Sequence, residues 1–191
     1  MARQIVLVRH GETEWSASGR HTSHTDLPLT EDGRQAATKL RGPLQAHGFE
    51  LVLTSPLRRA QETCELAGFG ARAELDAAAQ EWEYGDYEGM TTPEILEQRP
   101  DWNLWRDGCP EGESPEDIGR RADSLLARFA EVEGEALIFA HGHILRVLTA
   151  RWLGFGPEAG ARFKLEAGAI SILGYERDTE ALVSWNLGVE D

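Results

Sequence analysis

The chain is short of cysteine, of long apolar runs and of positive charge, and each shortage removes a class of function. Cys64 and Cys109 are its only cysteines, so no disulfide framework can form and no CxxC metal spacing exists. A single bridge between them is the most they could make, and reduced thiols are expected. The apolar stretch Ile5-Val6-Leu7-Val8 is followed at once by Arg9 and His10. It is too short for a signal-peptide core or a membrane span, so a cytoplasmic protein with no membrane partner is expected. Nineteen Lys and Arg face 33 Asp and Glu, a net charge of -14. Such a surface repels nucleic acid and anionic lipid. A small phosphorylated substrate is still allowed, because a local basic pocket reverses the field where it matters. There is no repeat, low-complexity tract or linker. With 191 residues, 41% hydrophobic and 27% charged, one domain over 1–191 is expected.

Hydropathy patterning predicts an α/β chain. Residues 5–8 form a β-branched-rich run, the mark of a strand buried on both faces of a parallel sheet. A polar, glycine-containing loop is predicted from 11 to about 29, and Thr30 then caps a helix that weakens at Gly42-Pro43. Residues 51–54 read as a second strand, followed by a helix over about 57–66 with Gly68 beyond its end. Thr91-Thr92-Pro93-Glu94 caps a short helix, and Ser114-Pro115-Glu116-Asp117 opens a longer one. That longer helix is apolar along Ile118, Ala122, Leu125, Leu126, Phe129 and Val132. Residues 136–140 are another buried strand, a helix follows over about 144–153, and two last strands make a hairpin around Asp178. The pattern fits a single three-layer sandwich: a mostly parallel central sheet with helices on both faces. A homodimer through a sheet edge or helix face is compatible with it.

Ligands of open α/β sheets bind beyond the carboxyl ends of the strands. Here those ends carry Arg9-His10-Gly11, Ser55-Pro56-Leu57-Arg58-Arg59 and His141-Gly142-His143. Arginine grips two phosphoryl oxygens at once. A neutral histidine attacks phosphorus through one ring nitrogen when the other donates to a backbone carbonyl. A second histidine and the free N–H groups opening its helix stabilise the remaining oxygens. An acid for the leaving oxygen is still needed. Glu81 is the candidate, with aromatic neighbours that would desolvate it and raise its pKa; Glu83 is its rival. Arg58 and Arg59 compete for one place. The pairs His21/His24 and His141/His143 could alternatively ligate zinc, but no further ligands are marked beside them.

Leu7-Val8-Arg9-His10-Gly11-Glu12-Thr13 resembles the RHG signature of the histidine phosphatase superfamily, with its phosphoglycerate mutase-like fold. The resemblance continues through Gly19-Arg20, Asp26-Leu27-Pro28-Leu29-Thr30, Arg59-Ala60, Glu81, Gly112-Glu113-Ser114 and His141-Gly142. It implies His10 as a phosphorylated nucleophile, Arg9, Arg59 and His141 as the phosphate pocket, and Glu81 as proton donor. It also implies no metal and no cofactor. Thr13-Glu14-Trp15-Ser16, residues 81–89, residues 102–109 and Phe139-Ala140-His141-Gly142-His143 are similar to sedoheptulose-1,7-bisphosphatase and acid-phosphatase members. Ser16, Ser23 and His143 depart from the commoner Asn, Gly and Gly at those places.

The expected activity is a phosphomonoesterase acting on small sugar phosphates or bisphosphates through a phosphohistidine. Ser16, Thr22, Ser23, Arg106, Gly142 and His143 are expected to bind the rest of the substrate, with Arg106 gripping a second phosphate. Trp102 and Trp105 would wall the pocket. Phosphoglycerate mutase is the alternative, but mutase relatives carry paired arginines after the acid, whereas Arg99 and Arg106 are spaced apart. A catalytically dead phosphoprotein binder would not need the acid.

Overall fold

The computed structural model describes residues 2–188; Met1 and 189–191 of the expected 1–191 span lie outside the described residues. The elements run β1 (Gln4–Arg9), α1 (Glu14–Ser18), α2 (Glu31–Lys39), α3 (Arg41–Gln45), β2 (Phe49–Thr54), α4 (Arg58–Leu66) and β3 (Glu74–Leu75). They continue with α5 (Thr92–Gln98), α6 (Leu104–Asp107), α7 (Pro115–Ala130), β4 (Glu135–Ala140), α8 (Gly142–Trp152), β5 (Ile170–Glu176) and β6 (Thr179–Leu187). The strands form one six-stranded sheet in the order β3-β2-β4-β1-β5-β6. The pairs β2–β3, β2–β4 and β1–β4 are parallel, while β5 runs antiparallel to both β1 and β6.

Alternation along the strands divides the core into two layers. Ile5, Leu7, Leu53, Ala136 and Ile138 share one cluster with Ile118, Ala122, Leu125 and Phe129 of α7 and Leu145 and Leu148 of α8. Val6, Val8, Val52, Leu137 and Phe139 face the other way, against Ala37 of α2, Leu44 of α3 and Cys64 of α4. Both cysteines are buried and free. Among the described residues no helix is long and apolar enough to cross a membrane.

Caps account for most helix starts. Thr91 with Glu94 and Ser114 with Asp117 form the two expected capping boxes. A third box was not anticipated: the Thr13 hydroxyl accepts from Ser16 N while Ser16 Oγ accepts from Thr13 N. It nucleates α1 inside the segment expected to be loop. Asn103 similarly caps the unanticipated α6, and the two-residue edge strand β3 carries no apolar signal, both of its residues being exposed.

Register then assembles the site. Arg9 stands opposite Ala140 and Thr54 opposite Phe139. His10 N donates to Ala140 O and Ser55 N to Phe139 O, at 3.0 and 2.9 Å. The ends of β1, β4 and β2 therefore open side by side on one edge. Gly11 is required there by close approach: a Cβ would lie 2.5 Å from the Gly33 carbonyl oxygen at the start of α2. No side chain fits without moving backbone.

Candidate active site

The edge opens into a cavity of about 240 Å³ whose wall includes Arg9, His10, Ser16, Arg20, His21, Thr22, Glu81, Tyr84, Gly142, His143 and Arg146. His10 Nδ1 lies 2.7 Å from the carbonyl oxygen of Gly11. That nitrogen must donate, so the lone pair of the neutral ring sits on Nε2. Burial, with the Arg59 and Arg9 charges, pushes His10 well below the ordinary imidazole range. The nucleophilic form is thus the resting form.

Arg9 is held by one contact, Nη1 to Leu165 O at 2.5 Å. Its Nε is buried with no protein partner, and no carboxylate pairs with it among the described residues. Arg59 is different. It is 1% exposed and lies behind the cavity wall, where Nη1 donates to Thr25 O and Nη2 to Thr22 O and Ser23 O. It thereby draws the loop after α1 onto the sheet edge. Its Nε donates to His141 Nδ1 at 3.1 Å. His141 Nε2 lies 2.8 Å from Ser55 Oγ, and with Nδ1 accepting, Nε2 is the protonated nitrogen. Burial, Arg59 and His10 push His141 well below its ordinary value. The ring packs edge-on against His10, centroids 5.1 Å apart.

Glu81 meets the start of α8. Its Oε1 accepts from Trp82 N, His143 N and Ile144 N at 2.9–3.1 Å, and Oε2 accepts from His143 N at 3.0 Å. Burial alone would raise its pKa, as expected from its aromatic neighbours. The neighbouring His143 ring and the His143 N–H overcome burial and hold the carboxyl well below its ordinary range. A helix N-terminus is a carboxylate site, so Glu81 rests ionised. That corrects the expectation of a raised pKa. Glu83 lies half-exposed against His24 at 3.1 Å, outside this cavity wall.

These shifts predict acid lability. In the unfolded chain His10 and His141 take up protons below about 6.5, but the buried rings resist them. Their contribution is full above 6.5 and is lost as pH falls; Glu81 adds a further loss below about 4.5. Each group contributes at most about 1.4 kcal/mol per pH unit. Urea midpoints from pH 8 to pH 5 should fall, and a flat profile would contradict the buried neutral rings.

Residues 5–188 match the histidine phosphatase superfamily, branch 1. The chain belongs to this family. It is 40% identical over 184 residues to an acid phosphatase of Mycobacterium tuberculosis, covering 94% of this chain and 90% of that one. It is also 40% identical over 188 residues to the sedoheptulose 1,7-bisphosphatase of Saccharomyces cerevisiae, covering 81% and 69%. A solved structure of a Mycobacterium tuberculosis open reading frame superposes with a TM-score of 0.94 at 37% identity, covering 100% of both chains.

In this histidine phosphatase the residues expected to read substrate are scattered. Ser16, Thr22, Gly142 and His143 reach the cavity. Ser23 does not line it: the Glu88 carboxylate binds its N–H and Arg59 its carbonyl, so the loop folds inward and buries its hydroxyl. Arg106 is not at the cavity either. It lies 64% exposed on Asp107 and the Asp101 carbonyl, an ion pair of adjacent residues. Trp102 and Trp105 stand one layer behind the wall, against His21 and Arg146. Arg58 is surface-exposed, so of the two competing arginines it is Arg59 that meets His141. Arg146 was missed, although it sits three residues after His143 on α8, a spacing that shares a helix face. Thr63 was also missed; its hydroxyl donates to Arg59 O and accepts from Gly11 N, tying α4 to the RHG turn.

Proposed function

We propose that this chain, as one domain, is a phosphomonoesterase that hydrolyses sugar phosphates and bisphosphates through a phosphohistidine on His10. One observation carries the reading: His10 keeps a free Nε2 lone pair, pinned by the Gly11 carbonyl, beside an arginine whose buried Nε has no partner and which forms no ion pair among the described residues. Phosphoryl oxygens would settle on Arg9, backed by the buried charge of Arg59. His141 would hold the His10 ring edge-on and neutral. Nε2 attacks phosphorus in line, the P–N bond forms, and the ester P–O bond breaks.

Glu81 would protonate the departing oxygen. Its low resting pKa does not prevent this, because a phosphate dianion beside it disfavours the carboxylate. An ester that binds as the monoanion therefore passes its proton to Glu81 and is left as the dianion on the arginines. In the second step Glu81, again a carboxylate, takes a proton from water as that water attacks the phosphohistidine. Phosphate leaves and His10 is restored. The arginines and histidines supply the positive charge, so no metal is invoked.

Transfer between two substrate hydroxyls, the mutase reaction, is less favoured. Both arginines that follow the acid, Arg99 and Arg106, pair with Asp107 and neither lines the cavity. Phosphate release should be assayed in EDTA across sugar mono- and bisphosphates and phosphoglycerates, with 2-/3-phosphoglycerate interconversion followed alongside. Sugar esters should release phosphate faster than phosphoglycerates, without interconversion. Interconversion without release would overturn the reading.

A further inference from the structure

In this acidic chain many arginines pair with carboxylates. Arg34 pairs with Glu62, Arg121 with Glu113, Arg128 with Asp76 and Glu74, and Arg151 with Asp123. Arg146, like Arg9 and Arg59, has no ion pair among the described residues; Glu81 acts on it only from beyond contact. It projects from α8 into the wall of the His10 cavity. Its Nε donates to Gly160 O at 3.0 Å and its Nη2 to Ala161 O at 3.3 Å. Its guanidinium lies over the Trp105 ring, 4.5 Å from the centroid. Gly160 is packed so tightly on Trp105 that a Cβ would fall 2.4 Å from the ring. The guanidinium is therefore clamped between an indole and two carbonyls, which orient it but do not neutralise it. A desolvated cation of this type is costly unless an anion joins it.

Its neighbours have polar atoms to spare. The rings of His21 and His143 lie nearly parallel, centroids 6.3 Å apart. His21 Nδ1 is occupied by Met90 O and His143 Nδ1 by the Tyr84 hydroxyl. Each ring keeps its other nitrogen, and both rings line the cavity. Arg20 also lines it, but it is half-exposed and already engaged with Gly89 O and Glu94. Arg146 is the stronger anchor.

We propose that Arg146, with His143 and His21, forms a second anion subsite that takes the distal phosphate of a sugar bisphosphate whose first phosphate is attacked by His10. The subsite rests on the hydrolase reading above and adds the residue that selects bisphosphates. It also replaces Arg106 in that role. Two phosphates at opposite ends of one sugar chain would each meet an arginine that forms no ion pair among the described residues, with hydroxyls between them near Ser16 and Thr22.

The test is selectivity: kcat/KM for sedoheptulose 1,7-bisphosphate divided by that for sedoheptulose 7-phosphate. In the unsubstituted enzyme the ratio should exceed one. Arg146→Ala should lower it by about ten- to a hundredfold, mainly through KM, as expected for one lost charge-assisted contact. Arg146→Lys, which keeps the charge but not the fork, should fall between. An unchanged ratio, or one near unity in the starting enzyme, overturns the subsite. Should Arg146→Ala fail to fold, Arg146→Gln keeps most of the stem against Trp105 and is read in the same way. Hydrolysis of p-nitrophenyl phosphate by the unsubstituted enzyme separates the two ideas. If it occurs while the ratio does not move, the subsite fails alone; if no ester is hydrolysed, the hydrolase reading fails with it.

Discussion

His10→Ala is expected to abolish turnover while leaving a folded protein. The ring supplies the only bond that forms to phosphorus in the first step, so its loss should cost about 10⁴-fold or more in kcat. Folding should tolerate the change, because the ring borders an open cavity and its one strong contact is local, to the adjacent Gly11 carbonyl. Brief reaction of the intact enzyme with a ³²P-labelled ester, followed by an alkaline quench, should leave a label on His10 that acid removes. Substantial activity in a folded His10→Ala protein would refute the covalent route.

Glu81→Gln should discriminate between leaving groups. A sugar alkoxide departs only with a proton, so the variant should lose about 10²- to 10⁴-fold on sugar phosphates. Nitrophenolate departs without one, and p-nitrophenyl phosphate should suffer far less. The amide keeps one oxygen for the N–H groups of α8, but its NH2 meets donors where Oε2 accepted, so some positioning loss is shared by both substrates. The difference between substrates is therefore the informative quantity. Equal losses would make Glu81 a positioning residue and return attention to Glu83.

The two variants probe features of different legibility. The strand-end motif Arg9-His10-Gly11 and the strand ending in His141 could be read directly, because a buried parallel strand is a contiguous apolar run whose end is marked by the first polar residue. The helices with capping boxes at Thr91 and Ser114 were equally plain, since their signals are local. The box at Thr13 is local too, but Ser16 is not the usual Glu or Gln partner, so the sequence of α1 reads as loop. The strand β3 has no local signal, and its pairing with Leu53 and Thr54 exists only in the sheet.

Residue identity along the chain determined a good deal by itself: the α/β class, three strands ending in arginine, serine and histidine, and the choice of reactive side chains. What it could not determine was orientation. Arg59 and Arg106 are chemically the same group, yet one is buried under a loop and the other lies on the surface with the adjacent Asp107. Glu81 looked like an acid raised by burial, but packing set it on the first N–H groups of α8 and reversed the shift. Arg146 carried only its spacing from His143 as a signal in sequence; that it forms no ion pair among the described residues is a fact about what surrounds it in space. Periodicity and caps are set within a few residues. The charge state of a buried group and the wall it faces are set by elements that lie well apart along the chain, as Glu81 and His143 do at a separation of 62 residues, so only the tertiary structure decided them.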